Sequence, residues 1–443
     1  MTKPHLLYVA YAFPPSTASS VYRCTAVANA FAHDGWDVTV LTVDPEVWSQ
    51  ISGVDLKLAE TVQPSITVVP VDDGGAEEPA RGDLRRYSRL RIEAPYVWKE
   101  LKRRLSRRHF PENFHGTWLK PASEAARLVH ERKPVDLVMA SAVPYVSFEV
   151  ARSLGGVPYV MDYRDAWAFN TFAETSKHEP ESKLGKLEAS YLEDAAQIWF
   201  VNRQIKDEYV RRYPFAMSKM RVVANGFDPQ PGHAKPQPRK LDNPTFGYLG
   251  TLLYERMPTL ELLEGWHLAF PGGGVSGKTK AIFRGKMSSS GSVSPEMLAA
   301  FARVASDGVQ HGGPISKRDV AAFYGTVDAL ILLLPSGKYV TGGKTAEYLA
   351  TGLPIVSAHD LGIAATDLLR DYPLWFPAKD LTPQSIADAL RACADALKDP
   401  DDERWAAAWE YGQQFVRSKM LEPVISELRG IVDFPSAEKV AAE

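Results

Sequence analysis

Residues 338–356 read Lys338-Tyr339-Val-Thr-Gly342-Gly343-Lys344-Thr345-Ala-Glu347-Tyr348-Leu-Ala-Thr-Gly352-Leu-Pro354-Ile-Val356. Just ahead of them, Ala329–Leu334 is an unbroken apolar run of strand length, and Leu353–Val356 begins another. Between the two runs, Gly342-Gly343 signals a tight turn, and Thr345–Thr351 predicts a helix closed by Gly352 and Pro354. A glycine turn feeding a helix start gathers backbone N–H groups and the positive end of a helix dipole at one point. Such a point suits a phosphate or diphosphate. Glu347, read as part of the first helical turn, is placed to accept hydrogen bonds from a ribose diol. The same residues also read as a plain capped αβ turn, in which Glu347 merely favours the helix N-terminus.

Outward from this stretch, 443 residues are enough for two or three domains with substantial cores. A charged fraction of 24% beside 45% hydrophobic residues is that of a soluble globular chain, and a net charge of −3 supplies no general field for nucleic acid. Cys24 and Cys393 are the only cysteines, so neither a disulfide framework nor a cysteine metal site follows, and a reducing interior is the natural setting. Leu6–Ala12 is too short for a signal peptide and runs into Phe13-Pro14-Pro15, and no uncharged apolar run reaches membrane-span length. The ten histidines show no ligand spacing, and the D-x-D of Asp399-Pro-Asp401 lies between a helix end and a helix start, where it reads as a capping loop. No G-x-S-x-G elbow or Walker A sequence occurs. The expectation is therefore a cytosolic protein with no bound metal and no cofactor.

The N-terminal half opens with the apolar run His5–Ala12, a loop of small residues to Ser20, helical spacing over Val21–His33 and a strand at Val38–Val43. This is a βαβ unit whose loop lets a ligand approach the backbone and faces it with a helix N-terminus. Ser19, Ser20 and Arg23 are the candidates there; the serines read equally as helix caps. Further strands are predicted at Ile66–Val71, Gln197–Asn202 and Met220–Ala224, with helices at Ser182–Ala196 and Gln204–Tyr213. Between them lies Val157-Pro158-Tyr-Val-Met-Asp162-Tyr-Arg164-Asp165-Ala-Trp167, a strand ending in three ionisable residues within four positions. Ligands of open α/β sheets lie at such carboxyl ends. Strand alternation puts Asp162 and Arg164 on one side, with Asp165 turning away.

Residues 81–108 carry eleven Lys or Arg against three acids, with Tyr87, Tyr96 and Trp98 interleaved. Such a segment suits an anionic lipid surface at the inner face of a membrane. It reads equally as a solvated helix pair with its charges outward. No nucleic-acid-binding motif accompanies it.

In the C-terminal half, Pro229–Pro244 holds five prolines in sixteen residues, the composition of a semi-rigid linker. After it come the strand Thr245–Gly250, the loop Thr251–Arg256 and the helix Thr259–Phe270, then a strand Lys280–Gly285 that ends on Arg284. A serine-rich loop at Met287–Ser294, a strand and turn at Val309–Ser316, a helix at Lys317–Gly325, and helices at Ile386–Leu397 and Arg404–Arg429 complete the half.

Taken together, Gly343-Lys344-x-x-Glu347-Tyr348-x-Ala350-x-Gly352-x-Pro354-Ile-Val resembles the nucleotide-sugar segment of retaining glycosyltransferases of family 4. Three other stretches carry the same likeness. Phe110-Pro-Glu112 through Trp118, and Pro158 through the D-Y-R-D-x-W of residues 162–167, are similar to a bacterial subgroup of that family. Thr245–Arg256 resembles its strand and G-T-L-x-x-x-R loop, and Asn225-Gly-Phe-Asp228 stands where the family leaves its first domain.

The resemblance implies an α/β chain of the GT-B type, two Rossmann-like domains facing across a cleft: residues 1–228 for the acceptor, a linker 229–244, and residues 245–404 for the nucleotide sugar. A final helix over 405–432 would return to the first domain through Trp405, Trp409, Phe415 and Leu428, with 433–443 a tail. It further implies transfer of a sugar, with retention, from a nucleoside-diphosphate sugar to the hydroxyl of a glycan, a lipid-linked sugar or a small molecule. Asp165, Arg164, Arg256 and Lys344 would act at the reacting groups. Ser19, Ser20, Arg23, Gly250, Thr251, Arg284, Ile315, Gly342, Gly343, Thr345 and Glu347 would hold the donor, the border of the nucleobase being mostly backbone. Two departures stand out: Tyr339 occupies a place that is acidic in many members, and Ser19 and Ser20 replace glycines. Sugar-nucleotide 2-epimerases share the fold, and a non-catalytic nucleotide-sugar-binding partner subunit is the third reading.

Overall fold

A computed structural model of the chain describes residues 3–50, 53–72, 84–229, 233–252, 256–273, 278–288, 293–316 and 319–433. The expected tail, residues 81–83 of the basic stretch, and parts of the loops predicted at 251–256 and 287–294 lie outside the described residues. The described chain forms two compact units.

The first unit takes in the chain to Asn170, Thr175–Ala224 and the residues from Leu421 onward. Its sheet contains β1 (His5–Val9), β2 (Asp37–Val43), β3 (Thr67–Val71), β4 (Leu137–Ser141), β5 (Tyr159–Tyr163), β6 (Gln197–Phe200) and β7 (Met220–Val222), in the order β3-β2-β1-β4-β5-β6-β7. Every pairing is parallel. The apolar runs explain this: all five residues of each of β1, β4 and β5 are buried, as strands covered by helices on both faces must be. The helix Val21–His33 has the predicted bounds and turns Val21, Cys24, Val27, Ala28 and Phe31 inward. The strand order reverses between β1 and β4, and ligand crevices form at such switch points.

The second unit takes in Thr171–Glu174 and Asn225–Met420. Its six parallel strands are β8 (Thr245–Leu249), β9 (Lys280–Arg284), β10 (Val309–His311), β11 (Ala329–Leu333), β12 (Ile355–Ala358) and β13 (Trp375–Pro377), ordered β10-β9-β8-β11-β12-β13. The switch point lies between β8 and β11. The helix after β11 runs Gly343–Thr351, starting two residues earlier than predicted because Gly342 takes the N-cap with φ 68°. Glu347 is consequently in the second helical turn. The helices Val146–Arg152, Pro295–Ala305 and Ala365–Leu369 and the strand β13 have no counterpart in the sequence reading.

Two expected boundaries change. The returning helix is two helices, Asp402–Gln413 and Arg417–Asp433. The first packs on Gly343–Thr351 so tightly that a Cβ at Gly412 would lie 2.2 Å from the Leu349 carbonyl oxygen. Trp405 and Phe415 accordingly belong to the core of the second unit, whereas Leu421, Val424, Ile425 and Leu428 are buried in that of the first. The proline-rich stretch is no free connector either. Phe227 and Val416 form a β-bridge, Leu241 N–H donates to Leu397 O (2.9 Å), Pro236 abuts Gly352, and His233 stacks on Trp409. From Asn225 the chain is part of the second unit.

Candidate active site

In the first unit, the candidates collect where β1, β4 and β5 end. Asp162, fully buried near the end of β5, is gripped by Arg23: Nε reaches Oδ2 at 2.9 Å and Nη2 reaches Oδ1 at 2.7 Å. Arg23 Nη1 also donates to Ala224 O at 3.0 Å, and the residue is 4% exposed. The arginine read as a donor-phosphate contact is thus occupied within the fold. One guanidinium ties the helix Val21–His33, strand β5 and the end of the chain's first pass through this unit. Ser20, at the N-cap of that helix, is buried and makes no side-chain capping bond, so the capping reading does not hold for it. Ser19 is exposed.

Just past the end of β5, Arg164 is half-buried and Asp165 exposed. The loop that carries them is anchored by groups the sequence reading missed. Glu188, fully buried, accepts hydrogen bonds on Oε1 from Tyr163 Oη (2.8 Å) and Tyr209 Oη (2.7 Å) and on Oε2 from Tyr213 Oη (3.1 Å), with His178 Nε2 also 2.7 Å from Oε2. Tyr209 Oη in turn accepts from Trp167 N–H (3.0 Å) and Ala168 N–H (3.3 Å). Burial, followed by the Glu188 charge, holds all three tyrosine hydroxyls above their ordinary range, so they remain donors. Trp167 stacks on Tyr145 (5.0 Å between ring centres), and Tyr145 Oη donates to Ala166 O (2.9 Å).

Glu112, from the Phe110–Trp118 element, completes this wall. Its carboxylate accepts the N–H groups of Tyr145 (3.3 Å) and Val146 (3.1 Å), at the start of the helix Val146–Arg152. Burial nonetheless pushes the carboxyl from 4.5 up to about 7, outweighing the lowering effect of those two N–H groups. A folded value above the unfolded one favours the protonated folded chain. The stabilisation is full below the unfolded value and is lost as pH rises through the folded one, about 3 kcal/mol across the window. Glu112→Gln, which keeps an acceptor oxygen without a charge, is expected to flatten this slope in urea unfolding measured on either side of the window. A slope equal to the parent's would refute the assignment.

In the second unit, Lys344 and Glu347 lie on the Gly343–Thr351 helix, whose first N–H groups lack intrahelical partners. A Cβ at Gly343 would meet nothing within 4 Å, whereas one at Gly342 would meet Leu334 at 2.4 Å, so the turn needs its first glycine for packing and keeps its second open. Lys344 Nζ lies 2.8 Å from both carboxylate oxygens of Glu347. Tyr324 Oη, not foreseen, donates to Glu347 Oε1 at 2.6 Å. The neighbouring Tyr348 accepts from Leu249 N–H at 2.8 Å and so fixes this helix to the end of β8.

Thr345 turns into the fold. It is fully buried, its hydroxyl donates to Thr341 O (2.6 Å), and its N–H closes on Gly342 O (3.2 Å). Tyr339, in place of an acid, is 9% exposed.

The glycine after β8 has a packing reason. Gly250 N–H donates to Arg284 O (3.0 Å), and a Cβ at Gly285 (φ 133°) would come within 1.9 Å of Gly250 O. The two loop backbones therefore touch there. Thr251 offers its carbonyl to Tyr248 Oη (2.8 Å). Arg284 lies over Gly312, where a Cβ would be 2.0 Å from its Nη1, and Ile315 packs half-buried on the core. Exposed Arg256 has φ 60° and donates from Nη1 to Phe172 O (3.0 Å), in the Thr171–Glu174 segment of the same unit. Among the described residues no group of three or more His, Cys, Asp or Glu is arranged to hold a metal ion.

The fold recurs in solved structures. A glycosyltransferase from Rickettsia africae aligns over 98% of this chain and 100% of its own, with a TM-score of 0.64 at 13% identity. Anabaena HepE, solved with UDP and glucose, aligns over 96% of this chain and 100% of its own (TM-score 0.57, 14% identity). A sucrose-phosphate synthase from Thermosynechococcus elongatus aligns over 97% of this chain and 99% of its own (TM-score 0.57, 13% identity). Among curated proteins, none matches the sequence. Residues 20–226, just under half the chain, match the family model of the Glycosyl transferase 4-like domain, so the unit built on β1–β7 is similar to that domain, and the two parallel-sheet units have the GT-B fold.

Proposed function

We propose that the chain is a glycosyltransferase that moves a sugar, with retention, from a nucleoside-diphosphate sugar to an acceptor hydroxyl. The observation that carries this is the constellation at the β8–β11 switch point. An open glycine at a helix start stands beside Lys344, with a carboxylate, Glu347, one turn on. Arg284 and Arg256 follow the ends of β9 and β8 in the same unit. The binding of UDP and glucose by Anabaena HepE, a distant relative in fold, supports a nucleoside diphosphate as the donor's leaving group.

In the reaction so read, the bond from the anomeric carbon to the β-phosphate oxygen breaks and a bond to the acceptor oxygen forms on the same face. The acceptor proton passes to the departing phosphate. The negative charge that develops there is met by Lys344, Arg256 and the helix N-terminus, groups fixed before the reaction begins. Glu347 exchanges its contacts with Lys344 for the ribose diol, which frees Lys344 for phosphate, and Tyr324 keeps the carboxylate in place. Asp165 and Arg164 are assigned to the acceptor side, held by the Glu188 network. Arg23 and Thr345 drop out as ligand contacts and become structural supports.

Arg256→Ala is expected to weaken nucleoside-diphosphate binding by about 1.5–3 kcal/mol, the loss of a charge-assisted contact, read by calorimetry over a panel of uridine, guanosine and thymidine diphosphates. Undiminished affinity would remove Arg256 from the site. A non-catalytic nucleotide-sugar-binding subunit is the second reading, favoured by buried Tyr339 where many related enzymes have an acid. Binding of a nucleoside-diphosphate sugar with no consumption of it would select this reading.

A further inference from the structure

The helix Pro95–His109 is built inside out. Its fully buried residue is a serine: Ser106 Oγ donates to Glu112 O (2.7 Å) and accepts from Gly116 N–H (2.8 Å). The approach is close enough that a Cβ on Gly116 would lie 2.2 Å from Ser106 O. Docked by this polar seam, the helix turns its aliphatic residues outward. Val97, Leu101 and Leu105 follow one another at four-residue spacing and so form one stripe, exposed by 52%, 49% and 41%. Tyr96 beside it is 89% exposed, and Leu90 and Ile92 on the preceding helix Arg89–Glu93 are also exposed. Core helices do the reverse, and a contiguous exposed aliphatic stripe on a folded chain marks a surface that something covers.

Charge identifies the cover. Residues 84–109 carry ten Lys or Arg and two acids in a chain of net charge −3. Of the two acids, Glu100 is held by Arg103 and by Arg104 (3.1 Å). Arg104 and Arg108 lie along the same outward side as the stripe, and both are exposed. An aliphatic ridge lined by guanidinium groups is matched to a surface that is anionic outside and hydrocarbon beneath. We infer that Arg89–His109 is a membrane-docking surface, which seats on anionic lipid with Tyr96, Val97, Leu101 and Leu105 entering the acyl boundary. Long arginine stems suit this geometry because they bury their methylenes while the charge stays at the headgroups. The inference is independent of the donor site, which lies in the other unit.

The test is sedimentation of the full chain with phosphatidylcholine vesicles, with and without phosphatidylglycerol. The chain is expected to pellet only with the anionic vesicles. Leu101→Gln combined with Leu105→Gln, both at exposed positions, is expected to lower the partition constant at least about tenfold while leaving the melting temperature unchanged. Arg104→Gln with Arg108→Gln is expected to lower binding and reduce its salt dependence. A parent chain that never pellets with anionic vesicles overturns the inference, and so does full binding by the leucine double variant. A parent chain that is dimeric, dissociates on the same leucine substitutions and ignores vesicles also overturns it, and assigns the stripe to a second copy.

Discussion

Arg23→Ala is expected to destabilise the chain by about 3–5 kcal/mol, because it leaves the fully buried Asp162 carboxylate without its counter-charge. Burial alone would lower the Arg23 value, and it is the Asp162 charge and hydrogen bonds that raise it again, so the guanidinium remains charged inside the fold. Neither partner can be removed alone without stranding the other. Urea unfolding of Arg23→Ala, Asp162→Asn and the double variant closes a cycle in which the double variant is less damaged than the sum of the singles. Arg23→Lys is expected to recover only part of the loss, since an ammonium cannot reproduce the two-pronged grip or the bond to Ala224. Should Arg23→Ala instead keep its stability and lose nucleoside-diphosphate binding, the donor-contact reading of this arginine would be restored.

The second large effect falls on Glu188. Glu188→Ala removes the acceptor for three tyrosine hydroxyls and the partner of His178 in a region closed to water, a loss of about 3–5 kcal/mol. Glu188→Gln keeps one acceptor oxygen and is expected to lose less. The effect reaches beyond stability, because Tyr209 is the group that fixes the Trp167 and Ala168 backbone. Limited proteolysis should therefore cut the loop after Tyr163 faster in Glu188→Ala than in the parent under equally folded conditions. Equal cleavage would mean that the loop holds its shape without this hub.

The two sheets could be read from the chain because parallel strands buried on both faces are written as plain apolar runs, such as Leu6–Val9 and Ala329–Leu333. The Gly342-Gly343 turn and the helix Val21–His33 were equally plain, since caps and periodicity are local. What escaped was long-range. Arg23 could be picked out as a charged residue near a ligand loop, but its partner lies 139 positions away. Glu188 sits on the helix predicted at Ser182–Ala196, and only the fold brings Tyr163, Tyr209 and Tyr213 onto it. Tyr324 likewise meets Glu347 across 23 residues, with no spacing rule to announce it. Periodicity also shows that a helix has two faces without saying which is inward, so the basic segment's aliphatic side stayed hidden until Ser106 was seen docked. Gly412 stands beside the split of the final helix, but it serves the close packing on Leu349, and the break near Phe415 follows from backbone pairing of Phe415 and Arg417 with Phe227.

The lacing of residues 225–244 onto the second unit governs how the protein can be cut. A fragment beginning at Thr245, the boundary that proline content suggests, would strip the Phe227–Val416 bridge, unseat Leu241 from Leu397 and uncover Trp409. Such a truncated lobe is a candidate for inclusion bodies, while one spanning 225–420 keeps its own seams. Even that piece would leave Thr171–Glu174 behind, and with it the carbonyl that steadies Arg256. Ligand screening on an isolated second unit would thus begin with an arginine whose resting contact had been cut away.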